Sequence, residues 1–273
     1  MKNILKLSAI LGVFISLLTA APAAHADLTL LPTRIVFEEG ERFDEVIIIN
    51  SGDVVNTYEI GWQFYKMIQG QEPPYQKMEG SITDFDLSRH IVYTPRRVTL
   101  APGGRQKVKL ALRRPPEVAP GEYRAHLAVR TLPADEGDAQ VVEPTGEGLS
   151  AAVEINVAFS IPVIFRAGEP TETAQISNVR LERNPNSGGL QAVVSVNRAG
   201  GPYGVLGHLF VYDGSGDVIG EISNAYIFPE VTSRTFTVQL TEENLSGQNI
   251  RFVLNHHDLD SGKIYAEQTL PAR

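Results

Sequence analysis

Residues 153–165, VEINVAFSIPVIF, decide the fold. Every second residue is apolar: Val153, Ile155, Val157, Phe159, Ile161, Val163 and Phe165. Glu154, Asn156, Ala158, Ser160, Pro162 and Ile164 lie between them. Successive side chains of a strand point to opposite faces, so one face of this strand carries a row of hydrophobic side chains. An ordinary strand of ~5–6 residues offers only about three or four to a core. The surplus needs a cover, because a long apolar edge strand left in water aggregates.

Upstream, short β-rich runs alternate with turn signals: 28–37, 44–50, 56–67, 90–100, 105–114 and 122–133. In 56–67 the alternation falls on Tyr58, Ile60, Trp62 and Phe64. Arg105, Lys107 and Lys109 alternate with apolar residues, as on a strand with one wet face. Residues 134–150 are acidic and contain Gly and Pro, the composition of a long loop. About seven strands up to residue 167 predict an immunoglobulin-like sandwich, with Trp62 on its third strand. The stretch RAGEPTET (166–173) reads as a linker. A second β set follows at 174–183, 190–198, 205–213, 218–228, 234–240, 250–258 and 263–270, enough for another sandwich. No convincing amphipathic helix interrupts either set.

The chain opens with MKNILK, then LSAILGVFISLLTAAP, then Ala24-His25-Ala26. A short basic region, an apolar stretch and a small-x-small site predict a signal peptide over 1–26 and a mature chain from Asp27. The formal net charge is −8. Loss of Lys2 and Lys6 takes it to about −10, which argues against nucleic acid and against an anionic membrane surface. The chain has no cysteine, so an exported fold of this kind holds by packing without disulfides. A nucleophile elbow, a phosphate loop and a zinc helix are all missing, and the expectation is a non-enzymatic protein without cofactors. GGPYGVLG (200–207) does not sit between a strand and a helix as a nucleotide loop must. His256, His257, Asp258 and Asp260 invite a metal hypothesis. Thr269 stands where a calcium loop needs its Glu, and adjacent strand histidines point to opposite faces, so no metal is expected.

In order and spacing, PTRIVF (32–37), VTLAPGGRQKVKLALRR (98–114), GEYRAHLAVRTLP (121–133) and SIPVIFRAG (160–168) resemble the periplasmic pilus chaperones of the chaperone–usher pathway. The "IPV" segment is more similar to the archaic branch. The resemblance implies an all-β chain of two tandem immunoglobulin-like sandwiches in an L-shaped arrangement, 27–167 and 171–273. It implies a periplasmic chaperone that completes pilin subunits by donor-strand complementation and delivers them to an outer-membrane usher. The subunit-binding residues would be Val153, Ile155, Val157, Phe159 and Ile161. Five such side chains buried in a subunit groove are worth ~8–15 kcal/mol gross.

The family also anchors the subunit carboxylate with two basic residues. One maps onto Arg34; the other, a Lys, maps onto Pro162, which cannot serve. Arg124, Arg130 or Lys109 are the candidates to replace it. An interdomain salt bridge is implied between Glu122, Arg166 and an Asp that is either Asp258 or Asp260. A self-capping dimer is compatible with this reading. The alternative from another class is a secreted or surface sandwich, an adhesin or structural pilus component.

Overall fold

The computed structural model describes residues 28–113, 117–132, 158–242 and 244–271. The expected signal peptide and Val153, Ile155 and Val157 lie outside the described residues.

The first sandwich contains β1 (Leu28–Leu31), β2 (Ile35–Phe37), β3 (Phe43–Asn50), β4 (Asn56–Met67), β5 (Tyr75–Met78), β6 (Ile91–Thr94), β7 (Arg97–Leu100), β8 (Arg105–Leu112), β9 (Gly121–Thr131) and β10 (Ala158–Ala167). One sheet has the order β1-β3-β8-β6, and the other β2-β10-β9-β4-β5, with β7 also on β4. The second sandwich contains β11 (Thr173–Arg183), β12 (Leu190–Ala199), β13 (Val205–Tyr212), β14 (Val218–Ile227), β15 (Ser233–Gln239), β16 (Asn249–His256) and β17 (Ile264–Pro271). Its sheets are β11-β12-β15 and β14-β13-β16-β17.

Two of the sequence runs break in a way that alternation does not show. Run 28–37 divides at Pro32–Arg34, so that β1 pairs with β3 in one sheet while β2 pairs with β10 in the other. Run 90–100 divides around Pro95, so that β6 pairs with β8 and β7 with β4. Proline has no N–H for a ladder and restricts the residue before it, so a strand that contains one is easily interrupted there.

The first core stacks Val46, Ile48, Val108 and Leu110 of one sheet on Tyr58, Ile60, Leu127, Val129, Val163 and Phe165 of the other. Trp62 packs on this core, edge-on to Tyr93 at 5.5 Å between ring centres. The second core contains Val194, Leu209, Phe236 and Phe252, and it takes in Met67 and Ile164 from the first sandwich. Strand alternation explains the intrusion. Val163 and Phe165 face inward, so Ile164 on the opposite face meets the neighbouring sandwich. The run Val163 to Phe165 is therefore covered on both sides, which is why it is apolar at every position.

Candidate functional site

The outer face of the β2-β10-β9-β4 sheet builds the seam between the sandwiches. By alternation it carries Arg34, Val36 and Glu38 from β2 and its flanks, and Ser160, Pro162, Ile164 and Arg166 from β10. From β9 come Glu122, Arg124 and His126, and from β4 Tyr65 and Met67. Opposite stand Asn224, Tyr226 and Phe228 around the end of β14, His208 on β13, and His257 after β16.

One part of the seam is a buried ion network. Arg166 is fully buried and pairs with Glu172 at 3.0 Å, Glu38 at 3.7 Å and Glu122 at 3.8 Å. Arg124, also buried, pairs with Glu122 at 3.6 Å and with Glu230. Its guanidinium lies 3.5 Å over the Phe228 ring. Burial pushes the Glu122 carboxyl up, while Arg124 and Arg166 pull it down. Burial also raises Glu172, but the Tyr265 hydroxyl and Arg166 outweigh it and hold that carboxyl low. The loop before β13 closes on these charges. Gly204 N–H donates to Glu122 at 3.0 Å, and the Gly204 carbonyl accepts from Arg166 at 3.0 Å. A Cβ on Gly204 would lie 3.1 Å from both Glu122 carboxylate oxygens, so the glycine permits the approach. GGPYGVLG thus has a structural use that its sequence alone did not disclose.

Asp258 is not part of this network. It is exposed and caps a short 3-10 turn, accepting from the Asp260 N–H at 3.1 Å. The acidic partners of Arg166 are Glu38, Glu122 and Glu172, and Glu172 comes from the linker just before β11. The reason is reach: a linker carboxylate stands beside the end of β10, whereas Asp258 is committed to its own turn. The same turn corrects the reading of the adjacent histidines. β16 ends at His256, so His256 and His257 are not both in a strand, and their ring centres are 4.1 Å apart.

The other part of the seam is a cleft of about 460 Å³. Leu30, Phe159, Ile161 and Pro162 form one wall, and Asn224, Tyr226 and Phe228 the other, with Tyr65, Tyr75 and His126 between them. Where β1 leaves for the opposite sheet, β10 loses a neighbour. β9 pairs with β10 along Ala158–Ala167, but β2 covers only Val163–Phe165. Among the described residues, 158–162 therefore present an unpaired backbone edge, and the cleft runs beside it. Phe159 is half-buried on that edge. Ile161 is not available for docking as expected, because it is 4% exposed and packed in the first core.

Arg34 reaches into the same seam and is part-buried. Its contacts are to Asn224, Tyr226, His208 and the Ser223 and His257 carbonyls, and among the described residues it has no carboxylate partner. None of the three candidate replacements for the missing Lys is free at the cleft. Arg124 is held by Glu122 and Glu230, Arg130 pairs with Glu59 on the surface, and Lys109 is exposed on β8 in the opposite sheet. His126, opposite Pro162 in the ladder, is 6% exposed, and burial followed by the Arg124 charge lowers it to about 3. It is a neutral group at pH 7.

No family model and no curated protein matches the chain. Solved structures do. The chain is similar to the CupB2 chaperone of Pseudomonas aeruginosa, at 13% identity and a TM-score of 0.42 over 89% of this chain and 97% of that one. It is similar to the Salmonella enterica SafB chaperone in complex with the SafA pilin, at 11% identity and 0.43 over 92% and 99%. It is similar to the CsuC–CsuE chaperone–tip subunit pre-assembly complex of the archaic chaperone–usher Csu pili of Acinetobacter baumannii, at 14% identity and 0.43 over 90% and 97%. These three solved structures, which this chain of two β-sandwiches resembles, are each of a chaperone, one of them from archaic chaperone–usher pili.

Proposed function

We propose that the protein is a non-enzymatic periplasmic chaperone for pilin-like subunits. The open edge of β10 at 158–162 carries this reading. A subunit whose sandwich lacks a strand would pair with that edge, gaining main-chain hydrogen bonds from the strand and a place for Phe159 in its groove. The edge lies beside the cleft lined by Asn224 and Tyr226, both hydrogen-bonded to Arg34, so the end of the bound segment would meet a cation that has no carboxylate partner among the described residues. In this reading residues 1–26 direct export, 27–167 hold the donor edge, 171–273 form the far wall of the cleft, and delivery is to an outer-membrane usher.

Phe159→Asp and Arg34→Ala test the proposal in cells that co-express a cognate subunit. Burial of a phenylalanine is worth ~1.5–3 kcal/mol, so Phe159→Asp should lower recovery of the complex by at least about ten-fold. Arg34→Ala should lower it as well. Wild-type recovery with Phe159→Asp would overturn the strand role, and wild-type recovery with Arg34→Ala would overturn the anchor.

A further inference from the structure

Arg34 is already heavily engaged in the free protein. Its Nη1 donates to Asn224 Oδ1 and to Tyr226 Oη, each at 3.0 Å, with the Ser223 carbonyl farther off at 3.5 Å. Its Nη2 donates to the His257 carbonyl at 2.7 Å and lies 2.9 Å from His208 Nε2. A guanidinium has five N–H groups, four of them on the two Nη atoms. All four are taken here, and only Nε–H lacks a partner among the described residues. Arginine holds a carboxylate best through two parallel N–H···O bonds. In the side-on arrangement these come from Nε and Nη2. Two-point capture therefore requires Nη2 to release one of its partners. The carbonyl is fixed in the turn after β16. The imidazole is different, because it accepts from Arg34 only through a lone pair that a proton removes.

We propose that His208 is a proton-operated gate on Arg34: protonation of His208 releases Nη2 for two-point capture of a carboxylate in the cleft, beside the new imidazolium charge. The proposal rests on the reading of Arg34 as the anchor. It gives a physical substitute for the second cation that Pro162 cannot supply.

The surroundings of His208 support the mechanism from each side. Arg34 faces it from the first sandwich, Glu221 from β14, and Asn255 and His257 from β16 and the turn beyond, while Phe210 stacks on its own strand at 6.2 Å between ring centres. Burial, then the Arg34 charge, lowers the His208 pKa, and the His257 backbone and Glu221 oppose this. Burial and the Arg34 charge both favour the neutral imidazole that accepts from Arg34. A carboxylate on Arg34 cancels one of the charges that depress it. Binding and protonation then favour each other, and by linkage they do so equally.

Calorimetry on the full mature chain tests the gate. The probes are N-acetyl-Val-Thr-Val-Phe with a free carboxylate and the same peptide amidated, at pH 7.5 and 5.5; the carboxylate stays ionised at both. The free-carboxyl peptide should bind at least about five-fold tighter at pH 5.5, a coupling typical of linked sites. The amide should show no such gain. His208→Gln should bring the ratio near one, because the glutamine carbonyl accepts from Nη2 at either pH, whereas His126→Gln should retain the gain. If the free-carboxyl peptide binds tighter than the amide but without a gain at pH 5.5, or His208→Gln keeps the gain, the gate is overturned and the anchor stands. If the free-carboxyl and amidated peptides bind equally, and Arg34→Ala binds them as the wild type does, the anchor reading falls and the gate with it.

Discussion

At the scale of single residues, the most consequential group is the one most completely hidden. Arg166 has no exposed side-chain surface, and the Glu122 and Glu172 side chains beside it are 1% and 0% exposed. A buried charge network of this kind adds little net stability over a well-packed apolar one, but removal of one member leaves the others uncompensated. Arg166→Ala should therefore cost about 3–5 kcal/mol in urea unfolding. Arg130→Ala makes the comparison, because its pair with Glu59 is exposed and is worth at most about 1 kcal/mol. Equal losses for the two variants would mean that the network is not an energetic unit. The sequence pointed to Arg166 and Glu122 through a resemblance, and it missed Glu172. Nothing in RAGEPTET distinguishes a carboxylate that folds back on β10 from a solvated linker charge. Likewise Arg34 was reached through the resemblance, but its partners His208, Asn224, Tyr226 and His257 lie over 170 residues away. No local period links positions that far apart.

At the scale of the strand, alternation was legible and its meaning was only half so. The row Phe159, Ile161, Val163 and Phe165 does share a face, but from Ile161 onward that face is the strand's own core. The surplus has two covers in the described residues. The first core takes the odd-numbered row, and the second sandwich takes Ile164. Among the described residues, the unpaired edge at 158–162 arises instead from the departure of β1 at Pro32, a topological event that no hydrophobic period records. Neighbouring residues on β10 should therefore fail in different ways. Val163→Asp puts a charge into the first core and should unfold that sandwich. The chain's one tryptophan, Trp62, reports it by a red shift in native buffer. Ile164→Asp puts the charge into the seam. It should leave Trp62 emission as in the wild type and open the linker to trypsin at Arg166. A red shift of the same size in Ile164→Asp would contradict the two-faced placement of the strand.

At the scale of the whole molecule, four of the six histidines are gathered where the sandwiches meet, and that makes the seam sensitive to acid. His126 comes from the first sandwich, and His208, His256 and His257 from the second. Burial, before any charge, lowers all four, and His126 and His257 fall to about 3. The unfolded chain binds protons at these sites near the ordinary value of about 6.5 while the folded chain refuses them. Stability is thus fully present above that value and is lost as the pH falls below it. One pH unit below 6.5 costs about 1.4 kcal/mol per histidine, hence about 3 kcal/mol for His126 and His257 together at pH 5.5. Glu38 and Glu122 act with the opposite sign. Burial raises both, so their protonation in the fold recovers stability as the pH falls. That contribution is common to wild type and to a His126→Gln/His257→Gln double variant, so the difference between them isolates the histidines. Urea unfolding at pH 7.5 and 5.5 should show the wild type losing about 3 kcal/mol more than the double variant across this interval. Parallel losses in the two proteins would mean that these imidazoles take up protons in the fold as readily as in the unfolded chain, and that acid does not act on the seam through them.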